Sequence, residues 1–366
     1  MCQNRTMDGT WSWLDLGRRI REARIAAGLS QEALGHRLGL GRTIMVKIES
    51  GKREVDALEL ARLAETLQLP LTHFLNKPPA VLSRRAELSD DTTSEVASQS
   101  YHLEAALQAW LADITQLKEL GVLEPPQHHS YPETVDDHDS ARAAAAWVRR
   151  HLDLGVEPIQ SLMSVCERMG QLVAVVTTPG DGASLIDDEI AAAVVSVTGD
   201  PGRRRTTAAH ELGHFILGDE YSSDLGVHTS RAHREKVINS FASELLLPLS
   251  AVRSSATNGS CSRKDLIRLA ATYRTSWTLA VHQAVKAGAA DWSLSRDRPT
   301  KAELLEAVGW APQPDLESVR IPPMYAQAVL KAWRQALLTS ARAEEMLRGE
   351  LTAADLPEQE ETDLEP

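Results

Sequence analysis

The chain has 366 residues, of which 43% are hydrophobic and 25% charged, ordinary values for a globular protein of two or three domains. They exclude a collagenous, coiled-coil or wholly disordered chain, and no apolar run approaches the roughly 18 residues needed to span a bilayer. The formal net charge of −12 excludes a globally cationic nucleic-acid surface. The charge is uneven, however: residues 1–80 carry 12 Lys/Arg against 9 Asp/Glu, so nucleic-acid contact is expected at the N-terminus alone.

Cys2, Cys166 and Cys261 offer neither a disulfide framework nor a CxxC metal pair, which fits a reducing cytoplasm. The first 30 residues hold no apolar core of a secretory signal, so a cytoplasmic protein without membrane attachment is expected.

Met1–Gly9 reads as a frayed end. From Leu14 to Phe74 apolar residues recur at helical spacing in short segments. Leu16, Ile20, Ala23 and Ala27 mark a first helix stopped at Gly28, and Ser30 caps a second carrying Ala33, Leu34 and Leu38. Gly39-Leu40-Gly41 turns the chain into a third helix, Arg42–Ser50, and Leu58–Leu67 supplies a fourth. Asn76–Ser100 reads as a polar linker, Leu103–Leu120 as a helix, and Pro125–Asp139 as a second linker. Helices follow at Ser140–Leu154 and Pro158–Met169.

The period then changes. Leu172–Thr178 and Ala191–Thr198 are apolar and β-branched, and Pro179-Gly180-Asp181-Gly182 joins them as two strands. Helices are predicted at Thr206–Leu217 and Arg231–Leu247, and as a pair about Thr275-Ser276. Further helices follow Pro299, including Met324–Leu347. The amphipathic stretch Ile321–Leu347 reads first as packed core and second as a self-association surface that would make a homodimer. From Asp355 the acidic tail is expected to be disordered.

The four N-terminal helices have the lengths of a helix-turn-helix domain. Such a reader puts the first turn of one short helix against the bases while flanking donors grip phosphates. That assigns Arg42, Thr43 and Lys47 to the reading helix, Gln31 to a backbone contact, and Lys52 and Arg53 to phosphate. The segments Leu16-Gly17-Arg18-Arg19-Ile20-Arg21, Gly28-Leu29-Ser30-Gln31-Glu32-Ala33-Leu34, Ile48-Glu49-Ser50-Gly51-Lys52-Arg53 and Leu60-Ala61-Arg62-Leu63-Ala64 resemble the phage-repressor (XRE/Cro) helix-turn-helix family. The resemblance implies DNA as a partner, although Ile44 and Val46 stand where the family usually has polar groove-facing residues.

A second constellation is His210-Glu211-Leu212-Gly213-His214, an H-E-x-x-H. On a helix, i and i+4 share a face, so both imidazoles can meet one zinc ion, with Glu211 as general base toward a water in the open position. Gly213 leaves room for close packing beneath. Leu217 and Glu220 occupy the places where a metzincin pattern needs Gly and His, so the third ligand must come from a later helix. The residues leave Glu235, Glu244, His228 and His233 as candidates.

His210–His214 followed by Glu235-Lys236-Val237-Ile238-Asn239-Ser240-Phe241-Ala242-Ser243-Glu244-Leu245-Leu246-Leu247-Pro248 resembles the ImmA/IrrE zinc metallo-endopeptidases, whose second block is E-x-x-A-N-x-F-A-x-x-L-L-x-P. Ile238 replaces the usual Ala, and Thr206 a usual aromatic. The resemblance implies Zn2+ on His210, His214 and Glu235, catalysis by Glu211, and a repressor protein, or the chain itself, as substrate. A substrate strand is expected to add beside Ala191–Val197. A regulator from another class, using the zincin-like domain as sensor or scaffold without proteolysis, is the alternative.

The expected fold is α+β and mostly helical, an all-α helix-turn-helix domain followed by a zincin-like domain with a small β-sheet. The expected bounds are 14–76 for the DNA-binding domain, 77–139 for a linker with one helix, and 140–290 for the metallopeptidase domain. A C-terminal helical region, 291–354, and the tail, 355–366, complete the chain.

Overall fold

The computed structural model describes residues 12–75, 83–84, 95–198, 200–218, 228–309, 316 and 321–360. The expectations for Met1–Gly9, Cys2, Glu220, the last residues of the tail and most of the Asn76–Ser100 linker lie outside these residues. The chain divides into two compact units, residues 1–79 with 86–109, and residues 80–85 with 110–366.

The first unit is all helical: α1 (Trp13–Ala26), α2 (Gln31–Leu38), α3 (Arg42–Glu49), α4 (Ala57–Leu67) and α5 (Leu71–Leu75). Polar residues start three of them. Ser12 accepts from the Asp15 amide, Ser30 from Ala33 and Asp56 from Glu59, at 3.1, 3.0 and 2.8 Å. Ile20, Leu34, Met45, Ile48, Leu63, Leu67 and Phe74 are buried together. Arg24 crosses this core to grip Glu49 with two nitrogens, at 2.5 and 3.0 Å.

After α5 come a two-residue strand, β1 (Ser83–Arg84), and a long helix, α6 (Glu95–Glu119). The boundary between the units falls inside α6, after Ala109.

The second unit holds α7 (His138–His151), α8 (Leu162–Met169), β2 (Gln171–Val176), β3 (Gly182–Asp187), β4 (Ile190–Ser196), α9 (Pro201–Ile216) and α10 (His228–Leu246). Then come α11 (Leu249–Ser255), α12 (Arg263–Tyr273), α13 (Trp277–Lys286), α14 (Lys301–Val308), α15 (Pro323–Arg334) and α16 (Ser340–Met346). The sheet order is β1-β3-β4-β2. β2 runs parallel to β4, Gln171 opposite Ala191, whereas β3 runs antiparallel to β4, Gly182 opposite Val195. The mostly helical α+β expectation therefore holds, with a larger sheet than the sequence indicated.

Several local expectations are corrected. The two predicted strands are three, because the stretch from Gly182 forms β3 and lets β2 and β4 lie parallel. Helix α9 starts at Pro201 rather than Thr206: the Asp200 carboxylate accepts from the Gly202 amide at 2.8 Å, and Pro201 fits a first helical turn. The presumed helix Met324–Leu347 is two helices, broken at Ala336, whose φ is 55°, and restarted by the Thr339 cap. Its inner faces are packed, with the Tyr325 ring 4.3 Å from Trp110.

The Pro125–Asp139 stretch is pinned rather than loose. The amides of His129 and Tyr131 donate to Met169 and Ile216 carbonyls at 3.1 and 3.0 Å, and Val135 is buried. The start of the tail is likewise tied down: the indole of Trp333 donates to the Pro357 carbonyl at 2.7 Å, and the Glu360 amide to Arg334 at 2.9 Å. No helix among the described residues is long and apolar enough to cross a membrane.

Candidate metal centre

Helix α9 is buried along almost its whole length, because β4 and β3 cover one side and α10 the other. The close approach of α10 is sequence-specific. A Cβ on Gly213 would lie 2.9 Å from Ile238 Cγ2 and 3.0 Å from Phe241 Cδ1, inside normal contact, so any larger residue would have to displace these side chains or push the two helices apart.

That approach brings α10 to the two histidines. His210 Nε2 and His214 Nε2 stand 3.1 Å apart. Glu235 Oε2 is 3.1 Å from His210 Nε2, and its Oε1 is 3.8 Å from His214 Nε2. Both rings are fully buried, while the Glu235 side chain keeps 27% exposure. One donor atom from each of the three residues lies within 4.8 Å of the others, and no further such cluster occurs among the described residues.

The donor set fits a tetrahedral divalent ion. With metal–nitrogen distances of roughly 2.0–2.1 Å, the edge of the tetrahedron is about 3.3 Å, and the observed separations of 3.1, 3.1 and 3.8 Å bracket it. Asn239, one turn beyond Glu235 on α10, holds His210: its Oδ1 is 3.0 Å from Nδ1. An Nδ1–H donated there leaves the His210 Nε2 lone pair facing His214 and Glu235.

Glu211 points instead toward the sheet. The Ser184 hydroxyl donates to its Oε2 at 2.7 Å. Its Oε1 is buried without a hydrogen-bond partner, a costly state for a carboxylate unless a further group is to be met there. Gly182 makes room for this carboxylate, since a Cβ there would lie 3.3 Å from Oε1 and 2.6 Å from Thr207 Cγ2.

The rival ligands are placed elsewhere. Glu244 accepts from the Leu249 amide at 3.2 Å and from Gln283 at 3.4 Å, starting α11, and its burial pushes its carboxyl above the usual range. His233 is exposed and meets the Asp136 carbonyl at 3.3 Å. The side chain of His228 lies outside the described residues. β4 is flanked by β3 and β2, so the expected addition of a substrate strand beside it is corrected: both its edges are taken.

In the first unit the six candidate DNA contacts separate into two groups. Arg42, Thr43, Lys47 and Lys52 are exposed. Gln31 donates to Glu49 at 2.7 Å, joining the Arg24 pair, and Arg53 grips Glu59 with two nitrogens at 3.0 and 2.7 Å. Val46 is 43% exposed beside Lys47, whereas Ile44 packs against the core.

Sequence reasoning missed the parts played by Asn239 and Ser184. Asn239 sits four residues after Glu235, a helical spacing that could have marked it. Ser184 carried no signal, because β3 itself was not foreseen.

Comparison with known proteins gives two matches to family models. Residues 186–284 match the M78 peptidase model, described as the IrrE N-terminal-like domain, and residues 17–78 match a helix-turn-helix domain. Two curated relatives, HTH-type transcriptional regulators of Sinorhizobium medicae and Rhizobium meliloti, are each 35% identical over 66 residues, covering 18% of this chain and 48% of theirs. A transcriptional regulator in the ATPase CF(0) region of Rhodospirillum rubrum is 33% identical over 61 residues, 17% of this chain and 56% of its own. The chain thus spans about half the length of these relatives. A solved structure, Bacillus thuringiensis PlcR with the peptide PapR7 and DNA, pairs with 92% of this chain and 93% of its own at 11% identity. Its TM-score is 0.18, too low to carry an argument.

Proposed function

From a chain that carries a helix-turn-helix domain and an IrrE N-terminal-like domain, we infer a DNA-bound transcription regulator that acts as a zinc-dependent endopeptidase on a partner repressor protein. The single observation that carries the reading is the convergence of His210, His214 and Glu235 beside a buried Glu211 whose Oε1 has no partner.

His210, His214 and Glu235 hold the ion, and Asn239 fixes the His210 ring toward it. A bound divalent ion supplies Lewis-acid activation of a peptide carbonyl and a water. Glu211, steadied on one oxygen by Ser184, uses the other to take a proton from the water and return it to the leaving amine. Burial excludes bulk solvent and strengthens each of these electrostatic contacts.

The exposed Arg42, Thr43 and Lys47 on α3, with Lys52 after it, face the DNA, and Gln31 and Arg53 approach it from their carboxylate partners. A DNA partner and a repressor substrate place the protein in the cytoplasm.

The test is co-expression with candidate repressors, with mass spectrometry of fragments. Glu211→Gln is expected to keep zinc and lose cleavage; undiminished cleavage refutes the assignment. The complete burial of His210, Glu211 and His214 favours one second reading, a metal-sensing regulator without proteolysis. Under that reading the wild type binds zinc and cleaves no repressor.

A further inference from the structure

Strand β3 lies against the Glu211 carboxylate. Ser184 bonds the carboxylate, and Gly182 lies against its unpartnered oxygen. One side of β3 is taken by β4, and its other side is the rim of the sheet. On that rim sits β1, from the segment between α5 and α6. It pairs antiparallel, Ser83 opposite Ser184 and Arg84 opposite Ala183.

An exposed strand edge beside a pocket is a template for an extended peptide, because its unpaired amides and carbonyls add a strand through main-chain bonds. Here the chain's own linker makes that addition, opposite the very residue that orients Glu211. Among the described residues the ladder covers two residue pairs, while β3 runs for six residues. Tethering in cis offsets so short a ladder, since a short linker holds its end at an effective concentration on the order of millimolar.

We propose that the linker strand Ser83–Arg84 is a resident occupant, in cis, of the rim of β3 and closes the path along it to Glu211. A substrate segment gains the pocket by displacing this strand. The inference rests on the endopeptidase reading for the purpose of the path, but not for the strand exchange itself.

The probe is a fluorescein-labelled synthetic peptide of residues 80–88, added to the full chain as purified. Ser83→Pro with Arg84→Pro removes both amide donors of β1, and a second variant replaces residues 80–85 by Gly and Ser at equal length. Both variants are expected to bind the peptide at least tenfold more tightly than the wild type by anisotropy. Without peptide, the amides of Gly182–Asp187 in both variants should exchange with deuterium at least tenfold faster than in the wild type, and slow again when it is added. Equal affinity of all three proteins, or unchanged exchange in β3, overturns the proposal. Neither readout uses cleavage. A protein that cleaves a repressor but shows no exchange of strands loses only this inference, and one that exchanges strands but cleaves nothing loses only the endopeptidase reading.

Discussion

The two candidate sites are built in opposite ways. The α9–α10 pocket is buried, and each side chain in it is fixed by another: His210 by Asn239, Glu211 by Ser184, Glu235 by the histidines. The outer face of α3 is exposed, and there only the inward residues are fixed, with Glu49 held by Arg24 and Gln31. A buried site is therefore specified by its own contacts, whereas an exposed candidate face is specified by the scaffold beneath it.

The contrast can be broken first at the scaffold. Glu49→Ala leaves the Arg24 guanidinium buried without its carboxylate, and removing one member of a buried pair costs about 3–5 kcal/mol. Chemical unfolding followed by a probe in the first unit should show that loss, with zinc binding unchanged.

A second test uses pH. Burial, and then the neighbouring positive charge of Arg19, pushes the His73 imidazole down from 6.5 to about 4. Between those values the unfolded chain takes up a proton that the folded one refuses. Stability of the first unit should thus be complete above pH 6.5 and fall as the pH drops toward 4, by about 3 kcal/mol in all. His73→Gln should flatten this dependence.

The pocket is sharpened by Asn239→Ala, which leaves all three candidate ligands in place. Loss of a group orienting a ligand imidazole lowers metal affinity by roughly 10–100-fold, readable by competition with a chromophoric chelator. The smallest effect on the fold belongs to Arg42→Ala and Lys47→Ala. Unfolding should change by no more than about 0.5 kcal/mol, while DNA affinity falls; Lys52→Ala, which removes an assigned phosphate contact, should reduce the salt slope by about one.

The same division explains what could be read from the sequence. His210, Glu211 and His214 were legible because one helical turn sets their relation. Glu235 lies 21 residues beyond His214, and its spacing alone did not separate it from Glu244; only the resemblance did. What decides between them physically is the packing of α10 at Gly213, a long-range fact. β3 escaped because Gly-Ala-Ser-Leu-Ile-Asp shows neither strand alternation nor a continuous apolar run, and with it went Ser184 and the rim that β1 covers. The break between α15 and α16 was hidden because Ala336, at a φ of 55°, is a residue that favours helix.

The most direct measurement is zinc stoichiometry by elemental analysis, after dialysis of the full chain against a weak chelator, beside His214→Ala and Glu244→Ala. One ion per chain in the wild type and in Glu244→Ala, with none in His214→Ala, is the predicted result. Zinc absent from the wild type, or retained in full by His214→Ala, contradicts a metal centre on His210, His214 and Glu235.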